Sequence, residues 1–181
     1  PDVEEVCFAG GEALVSPEHY KILNFWVAHK KNVRLRYTTN FSHFKYKSDD
    51  LLKLWKEFSD VRVSASLDAN GERAEYLRKG TNWAQIEKNR AEMMERAPHV
   101  YFEITPTLSV YNAFNLPDFH RDWIEKKLIK PDSIRINYLL DPVFMRAQIL
   151  ANTEKEKLKT KSAEHIQFLD SIGAQKSKLD F

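Results

Sequence analysis

The stretch Glu4-Glu5-Val6-Cys7-Phe8-Ala9-Gly10-Gly11-Glu12 decides how the rest of the chain is read. Its short apolar run, Val6 to Ala9, predicts a buried strand, because continuous apolar residues over so short a span suit a sheet covered on both faces. Two glycines follow at once. Lacking a Cβ, they let the backbone turn sharply and approach a ligand closely. Glu12 then stands at the carboxyl end of the strand, immediately before a helical pattern, and that end is where α/β sheets bind ligands. As a bare tripeptide, Gly-Gly-Glu most often marks a turn with a solvated glutamate; its position at a strand end is what raises its interest.

Working outward, the pattern of strand, loop and helix repeats. Ser16-Pro17-Glu18 predicts a helix start, by cap, fixed φ and dipole, and the helix runs to about Lys31. A strand is expected over Val33–Thr39, closed by Asn40, then a helix from Ser48-Asp49-Asp50 with Leu51, Leu52, Leu54, Trp55 and Phe58 as its buried stripe. Further strands are expected over Val61–Leu67, Val100–Val110 and Ser133–Leu139. Helices are expected over Glu72–Lys79, from Asn82 to about Arg96, and from Pro117. Pro106 removes a ladder donor and predicts a bulge or edge within the fourth strand. The tail from Thr153 to Gly173 reads as a lysine-rich amphipathic helix. Five strands, each followed by a helix at intervals of roughly 30–40 residues, predict βαβ units with right-handed crossovers. The expected architecture is α/β and mostly parallel, with a core over residues 1–150 and a helical extension over 151–181.

The 181 residues carry 43% hydrophobic and 30% charged side chains and a net charge of +2. That composition suits one globular domain and gives no overall field favouring nucleic acid or an anionic membrane. No apolar run is long enough to span a bilayer as a helix. The single cysteine, Cys7, excludes an internal disulfide and any multi-cysteine metal site within the chain. Its place in a strand predicts a small buried hydrophobe, and the sparse cysteine usage points to a reducing, cytoplasmic compartment. The six histidines show no pair at metal-ligand spacing, and His19, His29 and His120, on helical stretches, read as surface or packing residues. Ser66 at a strand end and Arg78 on the next helix offer a hydroxyl and a planar guanidinium, which together suit a carboxylate. Asn40 and Asn112 follow strands, where asparagine is common for backbone reasons.

Several blocks now carry a resemblance in order: Phe8-Ala9-Gly10-Gly11-Glu12-Ala13-Leu14, Tyr37-Thr38-Thr39-Asn40, Ser64-Ala65-Ser66-Leu67-Asp68, Glu72 to Trp83, and Pro106 to Asn112. From about Val6 to Leu150 the chain resembles radical S-adenosylmethionine (radical SAM) enzymes, most of all the twitch-domain group related to the SPASM class. The resemblance implies a partial (βα)6 TIM-like barrel with the first βα unit missing. It implies that Gly10, Gly11 and Glu12 bind the methionine amino group of S-adenosylmethionine, that Ser66 and Arg78 reach its carboxylate and ribose, and that Asn112 lies along the ribose and adenine. Members of the family hold a 4Fe-4S cluster on a CxxxCxxC loop, receive an electron from a donor such as flavodoxin or ferredoxin, and generate a 5′-deoxyadenosyl radical. That radical abstracts hydrogen from a peptide or small-molecule substrate. This sequence has no CxxxCxxC motif, and Ala13 stands where proline is commoner, so a fragment inactive on its own is expected. The alternatives are a cluster-less relative acting as a binding or partner-recognition module, and an unrelated βα-repeat enzyme with a phosphate or amino-acid substrate.

Overall fold

The computed structural model describes residues 3–10 and 12–174. In chain order its elements are β1 (Glu5–Phe8), α1 (Pro17–Ala28), β2 (Arg34–Thr39), β3 (Lys45–Tyr46), β4 (Asp49–Asp50), α2 (Leu51–Trp55), β5 (Val61–Ala65), α3 (Gly71–Leu77), α4 (Trp83–Arg96), β6 (Tyr101–Ile104), β7 (Thr107–Leu108), α5 (Leu116–Glu125), β8 (Asn137–Tyr138) and α6 (Asn152–Ser171). Strands β1, β2, β5 and β6 lie in that order in a four-stranded parallel sheet, with helices between them along the chain. This is the α/β, mostly parallel arrangement expected. Two compact units emerge: Pro1–Ser66 with Thr81–Phe102, and Leu67–Gly80 with Glu103–Phe181.

In the first unit the sheet register explains the core. Val6, Leu35 and Val61 are lateral neighbours, as are Phe8, Tyr37 and Val63. Successive side chains of a strand point to opposite faces. Leu35, Tyr37, Val61, Val63 and Ala65 are accordingly buried, packed with Leu23, Leu52, Trp55 and Phe58 in the core. The alternate row, Cys7, Arg36 and Arg62, shares the opposite face. That face is polar and more open: Arg62 is exposed, and Arg36 pairs through both terminal nitrogens with Asp60 at 3.0 and 2.7 Å.

The sheet is therefore packed on one face only, which corrects the expectation for β1. Its burial alternates between exposed and intermediate, and Cys7 is exposed, not a buried hydrophobe. The cause is placement at the sheet edge with Cys7 on the polar row, which a run of four apolar letters does not reveal. In α1 the buried side is His19, Tyr20 and Leu23, whereas the apolar Ile22 and Phe25 are exposed. Between β2 and α2 a hairpin of β3 and β4 intervenes where a helix start was expected, and Asp50 caps α2 by accepting from the Lys53 N–H.

α4 begins at Asn82, whose side-chain oxygen accepts from the Gln85 N–H at 2.9 Å. An N-cap of this kind stabilises a helix by about 1 kcal/mol. Asn82→Ala is expected to lower the urea-unfolding free energy by about that amount; an unchanged midpoint would show that the cap contributes nothing.

In the second unit the long strand expected over Val100–Val110 is divided. β6 ends at Ile104, and β7 resumes at Thr107 after Pro106. Pro106 has no N–H to give, but its carbonyl accepts from Asn137 at 2.8 Å, and β7 pairs in parallel with β8. The fifth strand is likewise reduced to a bridge between Ile104 and Ile134 followed by β8. α5 turns Leu116, Phe119, His120 and Trp123 inward. α6 turns in His165 and Leu169. His120 Nδ1 and His165 Nε2 lie 2.9 Å apart, both rings buried, so this pair is core rather than surface. No helix among the described residues is long and apolar enough to cross a membrane.

Candidate functional site

Each unit holds part of the residue set expected from the sequence. In the first unit the set gathers at the carboxyl end of the sheet. Gly10 follows β1 with φ of 89°, a left-handed conformation that L side chains rarely adopt, which is why glycine is needed there. Gly11 lies outside the described residues. Glu12 is half-buried and tied down by three donors. Its Oε1 accepts from Thr39 Oγ1 at 2.7 Å and from the Leu14 N–H at 3.2 Å, and its Oε2 accepts from the Asn40 N–H at 2.9 Å. It is a fixed carboxylate, not the solvated side chain of an ordinary turn.

Thr39, the last residue of β2, is the hub of this end, and sequence reasoning passed over it. Its hydroxyl donates to Glu12 and accepts from the Phe41 N–H at 2.9 Å, while its carbonyl accepts from the Ser66 N–H at 2.8 Å. The ends of β1, β2 and β5 are thereby laced together, with Ser66 directly beyond β5. Phe41 follows with φ of 62° and a fully buried ring. The buried Asn89 holds that turn, donating at 2.9 Å to the carbonyls of Phe41 and Ser42. The available signal was a threonine at a strand end next to the Asn-Phe-Ser turn.

A shallow recess of about 370 Å³ adjoins Glu12, lined also by Cys7, Phe8, Ser16, Glu18 and His19. His19 is buried, its Nε2 2.8 Å from the Tyr37 hydroxyl. Burial pushes its pKa down to about 4, so the ring is neutral near pH 7. Burial likewise pushes the Tyr37 hydroxyl up, keeping it protonated.

In the second unit Arg78, Asp68 and Asn112 form one hydrogen-bonded group. Arg78 Nε donates to Asp68 Oδ2 at 2.7 Å, and the Thr107 N–H donates to Asp68 Oδ1 at 2.7 Å. Asn112 is fully buried. Its amide donates to the carbonyls of Asp68 and Thr107 at 2.8 and 2.9 Å, and its oxygen accepts from the Ser109 N–H at 2.8 Å. The side chain of Asn112 is thus spent on the loop, whereas a recess of about 420 Å³ opens beside Asp68, Thr107 and Ser109, flanked by Tyr76 and Tyr111. Arg73 braces this loop by donating to the Tyr111 carbonyl at 2.6 Å.

Among the described residues no group of three or more histidine, cysteine, aspartate or glutamate side chains is placed to hold a metal ion. A 4Fe-4S cluster requires several thiolates, and the chain has one cysteine. Its residues therefore do not fit that group. Each unit by itself offers a group of defined charge: the fixed carboxylate of Glu12 in the first, and the guanidinium of Arg78, paired with Asp68, in the second.

No protein-family model matches the chain, and no curated protein matches it. Solved structures do. The radical SAM enzyme anSMEcpe with bound AdoMet is similar at 21% identity and a TM-score of 0.59, over 89% of this chain and 44% of that one. The same enzyme with AdoMet and the Cp18Cys peptide is similar at 20% identity and a TM-score of 0.58, over 89% and 45%. TYW1, also a radical SAM enzyme, with a lysine-pyruvate adduct bound is similar at 17% identity and a TM-score of 0.53, over 88% and 50%. The chain thus spans half or less of the length of each of these structures. At such identities the likeness is one of fold.

Proposed function

We propose that the chain is the S-adenosylmethionine-binding part of a radical SAM enzyme core. The observation that carries this is Glu12, a carboxylate clamped at the carboxyl end of a parallel sheet within a radical SAM-like fold. A carboxylate offers about four acceptor sites, and three are taken by Thr39, Asn40 and Leu14. One acceptor site remains on Oε2, which suits an N–H of the methionine ammonium. Within the first unit Ser66 adds a hydroxyl donor; in the second unit, taken by itself, the guanidinium of Arg78 is a group that suits a carboxylate. Asn112 serves by holding the loop that bears Asp68 and Thr107.

Radical chemistry in this family depends on a cluster that this chain's single cysteine cannot hold, so the chain's own share is to bind and orient the cofactor. The same observation favours a second reading, a cluster-less module that binds without catalysis. The anSMEcpe structure with a bound peptide supports a peptide substrate; a small-molecule substrate, an electron donor such as flavodoxin or ferredoxin and a cytoplasmic setting belong to the same proposal through the family resemblance alone.

Calorimetric titration with S-adenosylmethionine tests the assignment. The unaltered chain is expected to bind, and Glu12→Gln, which keeps the shape but loses the charge, is expected to weaken binding by about tenfold, or roughly 1.4 kcal/mol. Circular dichroism checks that the fold survives. An affinity indifferent to both Glu12→Gln and Arg78→Ala would refute the assignment. Binding without radical chemistry, once a cluster-bearing partner segment is supplied, would favour the second reading.

A further inference from the structure

We infer that Asp68 is a positioning residue that aims Arg78 at the carboxylate of the bound ligand. The inference rests on the function proposed above and names a device within it. An arginine side chain carries about 2 kcal/mol of rotamer entropy, and Arg78 is the C-cap of α3, with an extended backbone whose N–H bonds the Ala74 carbonyl while its side chain leaves the helix. Its side chain is 36% exposed. What restrains it is one contact: Nε donates to Asp68 Oδ2 at 2.7 Å. Among the described residues neither terminal nitrogen of Arg78 has a hydrogen-bond partner, so the edge of the fork that matches a carboxylate bidentately stays available.

Asp68 is itself held on every side. Its side chain is only 16% exposed, its second oxygen accepts from the Thr107 N–H at 2.7 Å, and its carbonyl accepts from Asn112 at 2.8 Å. Asn112 is in turn fixed by Thr107 and Ser109. A rigid acceptor thus grips one edge of a flexible donor. Charge by itself counts against such a pair at an anion site. A carboxylate beside the guanidinium repels an incoming carboxylate, so Asp68 lowers affinity unless the geometry it imposes outweighs that repulsion.

The two effects have opposite signs, and a comparison of two ligands separates them. S-adenosylmethionine and its decarboxylated analogue share everything except the group that Arg78 is proposed to meet. In the unaltered protein S-adenosylmethionine is expected to bind more tightly than the analogue. Asp68→Ala is expected to weaken S-adenosylmethionine about tenfold while leaving the analogue's affinity unchanged. Asp68→Asn keeps an acceptor for Nε and is expected to restore most of the preference. In an Arg78→Ala background Asp68→Ala is expected to change neither affinity. Independently of any ligand, the Nε–H signal of Arg78 in heteronuclear NMR is expected to exchange slowly with water, and rapidly in Asp68→Ala.

Equal loss for both ligands in Asp68→Ala would show a merely structural role and overturn the inference. So would a gain in S-adenosylmethionine affinity, since charge repulsion would then be the larger effect. A wild-type protein that binds neither ligand, or does not distinguish them, would instead refute the proposed function and this inference with it; the NMR result would then report only whether Asp68 restrains Arg78.

Discussion

Replacing Trp55 with alanine is expected to lower the unfolding free energy of the protein by about 3–5 kcal/mol, the usual cost of removing a large aromatic side chain from a packed core. Trp55 closes α2 and is fully buried. Its ring lies against Tyr37 of β2, with centroids 5.2 Å apart, and against Phe44 at 5.8 Å. Its carbonyl accepts from His99 at 3.0 Å. Tyr37 is in turn stacked on Phe8 of β1 at 5.1 Å and bonded to His19 of α1. The cavity would therefore open beneath β1, which leads to Glu12, and β2, which ends at Thr39, and the proposed affinity for S-adenosylmethionine is expected to fall along with stability. Trp26 of α1 supplies the control: half-buried, with Phe58 as its edge-on neighbour at 6.5 Å, it should cost much less. Urea unfolding followed by far-ultraviolet circular dichroism gives both numbers. Losses of equal size for the two variants would show that the core is not organised around Trp55.

The second large effect is a loss of stability in mild acid. His19, His120 and His165 are buried, and burial is the first cause of each lowered pKa, to about 4, about 3 and about 4 respectively. His165 also lowers His120 across their 2.9 Å hydrogen bond, opposed by a backbone hydrogen bond at Pro131, while Arg121 adds to the lowering of His165 and Asp118 opposes it. In the unfolded chain these rings titrate near pH 6.5. Between that value and their folded values the unfolded state holds protons that the native state refuses, so stability falls as pH falls. The window runs from about pH 6.5 down to about pH 4, with a slope of up to ~1.4 kcal/mol per pH unit for each histidine. Above pH 7 the histidines contribute no slope. Urea midpoints at pH 7, 6 and 5 should therefore decline steadily. A flat profile over that range would mean that the rings are already charged or solvated in the native protein.

Much of the architecture was legible in the chain. The helices from Pro17, Asn82 and Pro117 and the strands at Val61 and Arg34 lie close to where caps, prolines and alternation put them. Those signals are local: an Asn side chain reaches its own helix, and a proline lacks its own N–H whatever surrounds it. Glu12 was legible as a candidate because a glycine turn at a strand end is also a local pattern. What escaped were features set by partners distant in sequence. The expectation that Cys7 is buried failed because four apolar letters cannot say which strand will be an edge. His120 reads from the sequence as either a surface or a packing residue, and that it packs against His165 could not be read because the two lie 45 positions apart on different helices. Asn112 gave no sign that its amide would be spent on the Asp68 and Thr107 carbonyls.

By itself, then, the amino-acid sequence determined the alternation of strand and helix, the glycine turn before Glu12, and the lack of thiols for a cluster, because each depends on a residue's own stereochemistry or on a simple count. Only the tertiary structure decided that Thr39 clamps Glu12 and that Asp68 grips Arg78. Both are contacts a few ångströms long between residues 27 and 10 positions apart, and no local preference encodes which strand end or helix end will arrive beside which.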